Sequence, residues 1–114
     1  MSSITPIAPM PRYAVQVGFT RPEILRLMDL YGRMVAAGHW RDYALSFETT
    51  KASFSAFRRT AERPEYRVEK QPTLRLKQGM WILYGEGGQI LKRSHELVNI
   101  LAPIERRLIK LIAD

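Results

Sequence analysis

Apolar residues recur at intervals of three and four over residues 24–35, which is the period of a helix with one buried face. The preceding segment Thr20-Arg-Pro-Glu23 has the sequence of a capping box, with proline in the first turn. Gly38 follows the stripe and suits the left-handed residue that ends a helix. The pattern predicts a helix over residues 21–37. Its expected core-facing residues are Ile24, Leu27, Met28, Tyr31 and Met34 or Val35.

Alternating apolar and polar residues, the period of a half-buried strand, predict a sheet on both sides of this helix. A first strand is expected over Arg12–Phe19, before the helix. A hairpin and further strands are expected after it. These later strands are Tyr43–Phe47 and Ala52–Ala56, joined by the turn Glu48-Thr-Thr-Lys51; a strand around Tyr66 and Val68; Met80–Tyr84; and Gln89–Leu91 after the Glu86-Gly-Gly88 turn.

A second apolar stripe follows Ser94, a candidate helix N-cap, and predicts a helix over residues 95–112. The stripe continues through Pro103, so the helix is either kinked there or replaced by a new helix that begins at the proline. The order β-α-β(4–5)-α favours an α+β fold, in which an antiparallel sheet of about five strands carries both helices on one face. We expect one domain over residues 12–114, preceded by an extended, proline-containing arm over residues 1–11. The residues of the second stripe are Leu97, Val98, Leu101, Ile104, Leu108 and Ile112.

The composition is that of one ordinary globular domain, since the 114 residues are 46% hydrophobic and 25% charged. The chain contains no cysteine, which excludes disulfides and thiolate chemistry. Its apolar runs fall far short of the roughly 20 residues that cross a bilayer, and its N-terminus lacks a signal-peptide pattern. A cytoplasmic protein without a membrane association is therefore expected.

Motifs for catalysis are weak. Ser94-His-Glu96 contains the residue types of a hydrolytic triad, but adjacent side chains on a helix diverge by about 100° and cannot bond in series. Gly85-Glu-Gly-Gly88 lacks the spacing and the Lys-Ser/Thr pair of a phosphate-binding loop. We expect no enzymatic activity, no catalytic residue, no metal site and no cofactor.

The most unusual segment follows the first helix and concentrates aromatic and charged side chains in five residues. It predicts a pocket for a ligand or protein partner, lined by His39, Trp40, Arg41, Asp42 and Tyr43. An alternative is that Trp40 and Tyr43 close the end of the core while Arg41 and Asp42 hold the turn. Both interpretations stay open at the level of the sequence.

The positive charge is concentrated in one window. Of the formal net charge of +7, residues 51–77 contribute +5, from eight basic and three acidic residues. Basic residues interleaved with Phe57 and Tyr66 on strands are suited to phosphate contacts and base stacking. We therefore expect binding of RNA, DNA or a ribonucleoprotein through a basic sheet surface. The candidate residues are Arg58, Arg59, Arg63, Arg67, Lys70, Arg75 and Lys77.

A protein adaptor, or a small regulatory subunit of a larger complex, is the alternative function. The two hypotheses differ in a geometric condition. If the arginines converge on one surface, their field attracts a polyanion. If they scatter over opposite faces, or pair with Glu62, Glu65 and Glu69, the adaptor gains support.

Several segments resemble an uncharacterised family of short alphaproteobacterial proteins, known as a domain of unknown function. The resemblance covers most of the chain between the first strand and the last helix. It implies a bacterial cytosolic protein and brings no catalytic residue, cofactor or partner with it. The segments are Leu30-Tyr-Gly-Arg-Met-Val-Ala-Ala-Gly-His-Trp-Arg-Asp-Tyr-Ala44, Phe57-Arg-Arg-Thr60, Pro64, Tyr66-Arg-Val-Glu-Lys70 and Gly88-Gln-Ile-Leu-Lys-Arg-Ser-His-Glu-Leu97.

Overall fold

The computed structural model describes residues 15–60 and 62–113, so the predicted arm over residues 1–11 lies outside the described residues. The described part contains two helices and a five-stranded antiparallel sheet, which confirms the predicted α+β fold. The elements are α1 (Arg21–Ala36), β1 (Asp42–Phe47), β2 (Ala52–Phe57), β3 (Tyr66–Lys70), a 3-10 turn (Pro72–Leu74), β4 (Trp81–Tyr84), β5 (Ile90–Ser94) and α2 (Leu97–Ala113).

The capping box at the start of α1 is formed as predicted. The Thr20 hydroxyl accepts a hydrogen bond from the Glu23 amide at 3.3 Å, and the Thr20 amide donates to the Glu23 carboxylate at 2.8 Å. Gly38 has a φ of 77° and so provides the expected left-handed residue after the helix. Of the two alternatives at the end of the stripe, Met34 is the buried one.

The sheet is a simple meander in the order β1-β2-β3-β4-β5, with every neighbouring pair antiparallel. Side chains alternate between its two faces, so the register assigns each residue to a face. Phe54, Val68 and Leu83 lie side by side on neighbouring strands, and their side chains point to the face that the helices cover. The opposite, helix-free face receives Arg67, Glu69, Ile82 and Tyr84.

The predicted first strand is wrong in the part that can be assessed. Val15–Phe19 belongs to no strand, and Arg12–Ala14 lies outside the described residues. The Val17 amide donates to the Glu48 carbonyl at 2.8 Å, so the segment meets the β1–β2 turn without extending a ladder along β1. The Gly18 carbonyl instead accepts a hydrogen bond from the Lys70 side chain at 2.9 Å, just before α1 begins.

The C-terminal helix is one continuous helix that runs through Pro103, so the alternative of a new helix starting there is wrong. It begins at Leu97, because β5 extends to Ser94. Ser94 is therefore the last strand residue rather than the N-cap. Its hydroxyl accepts hydrogen bonds from the Glu96 amide at 3.2 Å and the Asn99 side chain at 2.9 Å.

One hydrophobic core joins both helices to one face of the sheet. Its buried members include Leu27, Phe54, Trp81, Leu97 and Leu101. Met28 and Tyr31, two of the residues of α1 expected to face the core, are partly buried at its edge. In the described part of the chain, neither helix has the length and apolar character needed to cross a membrane.

Candidate nucleic-acid interface

Three segments meet at one end of the sheet because consecutive strands run in opposite directions. They are the residues before β1, the connection over residues 58–65 and the connection over residues 85–89. We call this the arginine end, because Arg58, Arg59 and Arg63 lie in the second of these segments. The connection over residues 71–80 lies at the other end of the sheet.

A cleft of about 330 Å³ opens at the arginine end. We call it the arginine cleft. It is lined by Arg58, Arg59, Glu62, Arg63 and Glu86. Arg58 contacts Glu86 at 2.8 Å, and Arg59 contacts Glu62 at 3.4 Å. Among the ion pairs of residues 15–60 and 62–113, none includes Arg63. Three cations and two anions leave the cleft with one net positive charge.

The ion pairs in the cleft are exposed and therefore weak. The Arg59 side chain is 76% exposed and that of its partner Glu62 is 45% exposed. Pairs of this kind contribute about 0–1 kcal/mol, because water solvates both charges when they separate. An incoming anion can therefore replace either carboxylate at little cost.

The helix-free face next to the cleft carries an arginine stacked on an aromatic ring. The Arg67 guanidinium lies 4.3 Å from the centre of the Tyr84 ring and contacts Glu69 at 2.8 Å. Phe57 ends β2 on the same face, at the same end of the sheet. Tyr84 was not anticipated as a site residue, although its strand was predicted.

The expected role of Tyr66 beside Phe57 is wrong. Tyr66 lies on the helix-covered face, one position before Arg67 in β3, and its hydroxyl accepts a hydrogen bond from Arg107 at 3.1 Å. Adjacent strand residues point to opposite faces, so Tyr66 and Arg67 cannot share a binding surface.

The seven predicted cations do not form one surface. Arg58, Arg59 and Arg63 line the cleft, and Arg67 lies on the adjacent helix-free face. Lys70 is buried on the helix-covered face, where it contacts Glu23 at 2.7 Å. Arg75 and Lys77 are exposed at the other end of the sheet. Four residues meet the condition of convergence and these last three do not. The pairing that favours the adaptor is also present, since Arg59 contacts Glu62, Arg58 approaches Glu65 and Arg67 contacts Glu69.

Next to the cleft, the buried carboxylate of Glu65 is contacted by side chains from three parts of the chain. It accepts hydrogen bonds from the Trp40 indole at 2.8 Å and from Arg107 at 2.9 Å, and it lies 3.2 Å from the His39 ring. Arg58 approaches the same carboxylate at 3.6 Å. We call Glu65 and these three hydrogen-bonding partners the Glu65 cluster. The cluster lies next to Arg58 of the cleft.

Burial alone would raise the pKa of Glu65, but the hydrogen bonds from Trp40, Arg107 and His39 and the charge of Arg107 outweigh burial and lower the pKa. Burial also opposes the charge of Arg107, whose bonds to Tyr66 and Glu65 nevertheless raise its pKa. Both groups are therefore charged at neutral pH. No local sequence pattern predicts this pair, because its two members lie far apart along the chain.

The five residues of the predicted partner pocket have separate surroundings. Trp40 is buried, and His39 faces Glu65. Tyr43 packs edge-on against Tyr31, with ring centres 4.9 Å apart. Arg41 is exposed, and the Asp42 carboxylate accepts a hydrogen bond from the Tyr43 amide at 2.8 Å. These are the surroundings of a closed core end, not of five side chains converging on a ligand.

Comparison with known proteins gives one match. Residues 17–101 match the model of a family described as a protein of unknown function, DUF2794. No curated protein and no solved structure matches the chain. No group of three or more His, Cys, Asp or Glu able to hold a metal ion occurs in the part of the chain that the structure describes.

Proposed function

Because the chain belongs to the DUF2794 family, whose function is unknown, we propose a function from its own residues: it binds single-stranded nucleic acid at the arginine end, without catalysis. The observation that carries this proposal is the position of Arg58, Arg59 and Arg63 in one cleft, next to the stacked pair of Arg67 and Tyr84. The proposal includes a location in the cytoplasm.

The arginine cleft supports contacts to phosphate. Guanidinium groups present forked donors that match phosphate oxygens, and such charge-assisted bonds are stronger than neutral ones. Arg63 is available for this role, and Arg59 is held only by a weak exposed pair. The net charge of +7 adds long-range attraction for a polyanion.

The adjacent face supports contacts to bases. Aromatic rings stack on bases of any sequence, with a contribution of about 1–3 kcal/mol per base. Phe57 and Tyr84 are half-buried at the ends of their strands, next to the cleft. A single strand laid across this corner would place phosphates in the cleft and bases on the sheet. Binding without sequence preference is expected, because neither contact reads base edges.

The test is fluorescence anisotropy with a labelled single-stranded oligonucleotide at several salt concentrations. Replacing Arg58 and Arg59 with glutamate should weaken binding and flatten its salt dependence, by a slope of about 0.7 for each lost phosphate contact. The matched control is Arg75→Glu with Lys77→Glu, which changes the charge equally at the other end of the sheet. This control should bind more tightly than the cleft variant.

A variant of opposite sign sharpens the test. Glu86→Gln removes an anion that competes for Arg58 at 2.8 Å, so it should strengthen oligonucleotide binding. Two results would overturn the proposal. One is wild-type protein that fails to bind at low salt, and the other is equal weakening by the cleft variant and its control.

A protein-binding role is the second candidate, since three predicted cations lie away from the arginine end. The observation that favours it is an exposed, uncharged surface at the β1 edge, formed by Tyr43, Leu45 and Phe47. An edge strand of this kind can accept an extended strand from another chain.

A further inference from the structure

The two edges of the sheet differ in their protection against pairing. β5, at one edge, carries Lys92 and Arg93 within the strand. β1, at the other edge, has the sequence Asp-Tyr-Ala-Leu-Ser-Phe, with one charge at its first residue and no proline. Monomeric proteins usually block an edge strand with charges, prolines or bulges, because its free backbone groups pair with other strands. β1 has little of this protection.

The free backbone groups of β1 can be assigned from its hairpin. The Glu48 amide donates to the Lys51 carbonyl at 2.8 Å, and the register then pairs Phe47 with Ala52. Hydrogen-bonded and non-hydrogen-bonded pairs alternate in an antiparallel ladder. The backbone groups of Ala44 and Ser46 therefore face β2, and those of the odd-numbered residues face outward. The outward-facing residues are Tyr43, Leu45 and Phe47, of which Tyr43 already donates its amide hydrogen bond to the Asp42 carboxylate at 2.8 Å.

The same three residues present apolar side chains. Tyr43, Leu45 and Phe47 are 39%, 38% and 42% exposed, on the face of the sheet that carries the helices. α1 lies above Tyr43, whose ring packs on Tyr31, and Phe47 packs edge-on against Phe19, just before α1. At 100° per residue, the side of α1 that bears Tyr31 has no charged residue between its first and last turns. We call this the β1–α1 face: Ile24, Met28, Tyr31, Gly32 and Val35 on α1, with Tyr43, Leu45 and Phe47 on β1.

Arg26, Asp29 and Arg33 lie on the other side of α1, whereas Arg21 in the first turn lies on the same side as Met28. Arg33 contacts Asp29 and, across to α2, Glu105, both at 3.0 Å. Between the first and last turns of α1, the β1–α1 face is therefore uncharged. It adjoins the outward-facing backbone groups of Leu45 and Phe47, which have no partner among residues 15–60 and 62–113. An apolar surface of this kind marks an interaction site on a protein that is otherwise rich in charge.

We propose that the β1–α1 face binds the same face of a second copy of the chain, with the two β1 strands antiparallel about a twofold axis. This inference rests on the second candidate function, whose partner it names. It joins two five-stranded sheets into one continuous sheet. The resulting interface is isologous, the commonest arrangement in soluble homo-oligomers.

The strand is complementary to itself in this arrangement. With the axis at Ala44, Tyr43 lies opposite Leu45 of the second copy, and Asp42 lies opposite Ser46. The two residues of each opposed pair then point to the same face of the joint sheet, because both are odd-numbered or both are even-numbered and side chains alternate along a strand. No two like charges are opposed within the strand, so the pairing avoids the repulsion that would destabilise it.

Two features limit the assembly to a pair. Of the two sheet edges in the described residues, only β1 lacks such protection, and β5 ends the joint sheet with its lysine and arginine. Antiparallel pairing also places the two arginine ends at opposite ends of the joint sheet. The positive charge of each copy thus stays far from that of the other, which reduces the repulsion between two molecules of charge +7.

The first experiment is sedimentation equilibrium over about a hundredfold range of concentration, where a dimer dissociates by mass action. Wild-type protein should show a mass that rises to twice that of the chain. Leu45→Lys should stay monomeric, because it places a charge at the centre of the edge. Leu91→Lys is the matched control, since Leu91 is 47% exposed on the opposite edge strand, and it should dimerise like wild type. Circular dichroism spectra should show that both variants are folded.

In the second experiment, a photo-crosslinking amino acid replaces Ser46 and crosslinking is carried out in growing cells. Its outcomes distinguish a wrong choice of partner from the absence of any protein-binding role. A product of twice the chain mass, absent when the crosslinker replaces Leu91, supports the second copy. A product with a different protein overturns the second copy and leaves the protein-binding role in place. No product overturns both. A dimer that Leu45→Lys fails to disrupt also overturns the inference, because that dimer would use another surface.

Discussion

At the scale of single residues, Glu65 combines a buried carboxylate with enough donors to keep it charged. An unpaired carboxylate buried this deeply would take up a proton. Burial removes the water that stabilises its charge and so raises its pKa. Here the indole of Trp40 and the guanidinium of Arg107 replace that water at 2.8 and 2.9 Å. The cluster ties the connection before β3 to α2 and to the residues after α1.

The first prediction concerns the pH dependence of this cluster. The pKa of Glu65 is lower in the folded protein than its ordinary value of 4.5, so ionised Glu65 stabilises the fold above that value. This contribution is lost as the pH falls through the lowered pKa. Glu65→Gln should reduce the free energy of unfolding by about 1–3 kcal/mol at neutral pH, because Arg107 loses its anion. The difference from wild type should shrink in acid.

Urea denaturation across the acidic range measures this difference. Glu86→Gln provides the control, since Glu86 is half exposed and should show little change in stability. A penalty for Glu65→Gln that is independent of pH would contradict a role for the charge.

At the scale of elements, the start of α1 is joined to the sheet through one carboxylate. Glu23 accepts from the Thr20 amide at 2.8 Å and from the Lys70 side chain at 2.7 Å. The first contact follows from local sequence, as the spacing of a capping box requires. The second brings together residues from α1 and β3, and it turns Lys70 from a candidate polyanion contact into a structural residue.

The second prediction is that Thr20→Ala lowers the free energy of unfolding by about 1 kcal/mol, because the Glu23 amide loses its acceptor. Chemical denaturation midpoints measure the loss. Thr73→Ala, at an exposed position in the 3-10 turn, should leave the midpoint nearly unchanged. Equal midpoints for Thr20→Ala and wild type would show that the cap contributes nothing to stability.

At the scale of the whole molecule, one core makes the helices and the sheet depend on one another. Leu27 of α1, Trp81 of β4 and Leu101 of α2 belong to the same buried cluster. Most of the stability of a helix in a protein comes from packing of its apolar face, and the sheet buries its apolar face against the helices, so each element relies on this packing. Unfolding is therefore expected to be cooperative.

The third prediction tests this dependence with Leu27→Ala, which should cost about 2–5 kcal/mol as a buried large-to-small change. Helical circular dichroism and the fluorescence of the buried Trp40 and Trp81 should be lost in one transition. Leu76→Ala is the control, since Leu76 is 86% exposed and should change stability by less than about 0.5 kcal/mol. Separate transitions for the two signals would contradict a single core.

Local sequence patterns predict the helices, the strands β1 to β5 and much of the core. The capping box and Gly38 mark both ends of α1, and alternation locates the strands from β1 to β5, because these signals act between near neighbours. The patterns fail over residues 15–19, which form no strand, and at Ser94, a good N-cap residue that is the last residue of β5. Periodicity predicts the secondary structure of a segment but does not indicate which other segment it pairs or packs with.

Long-range packing determines which side chains share a surface. The meander sends alternate connections to opposite ends of the sheet, so Arg63 and Lys77 are separated although both lie in the same basic window. The register places Tyr84, rather than Tyr66, beside Arg67. Arg107 reaches Glu65 only because α2 packs back across the sheet. These relations depend on the packing of distant segments, which the burial of the core selects and no local pattern encodes.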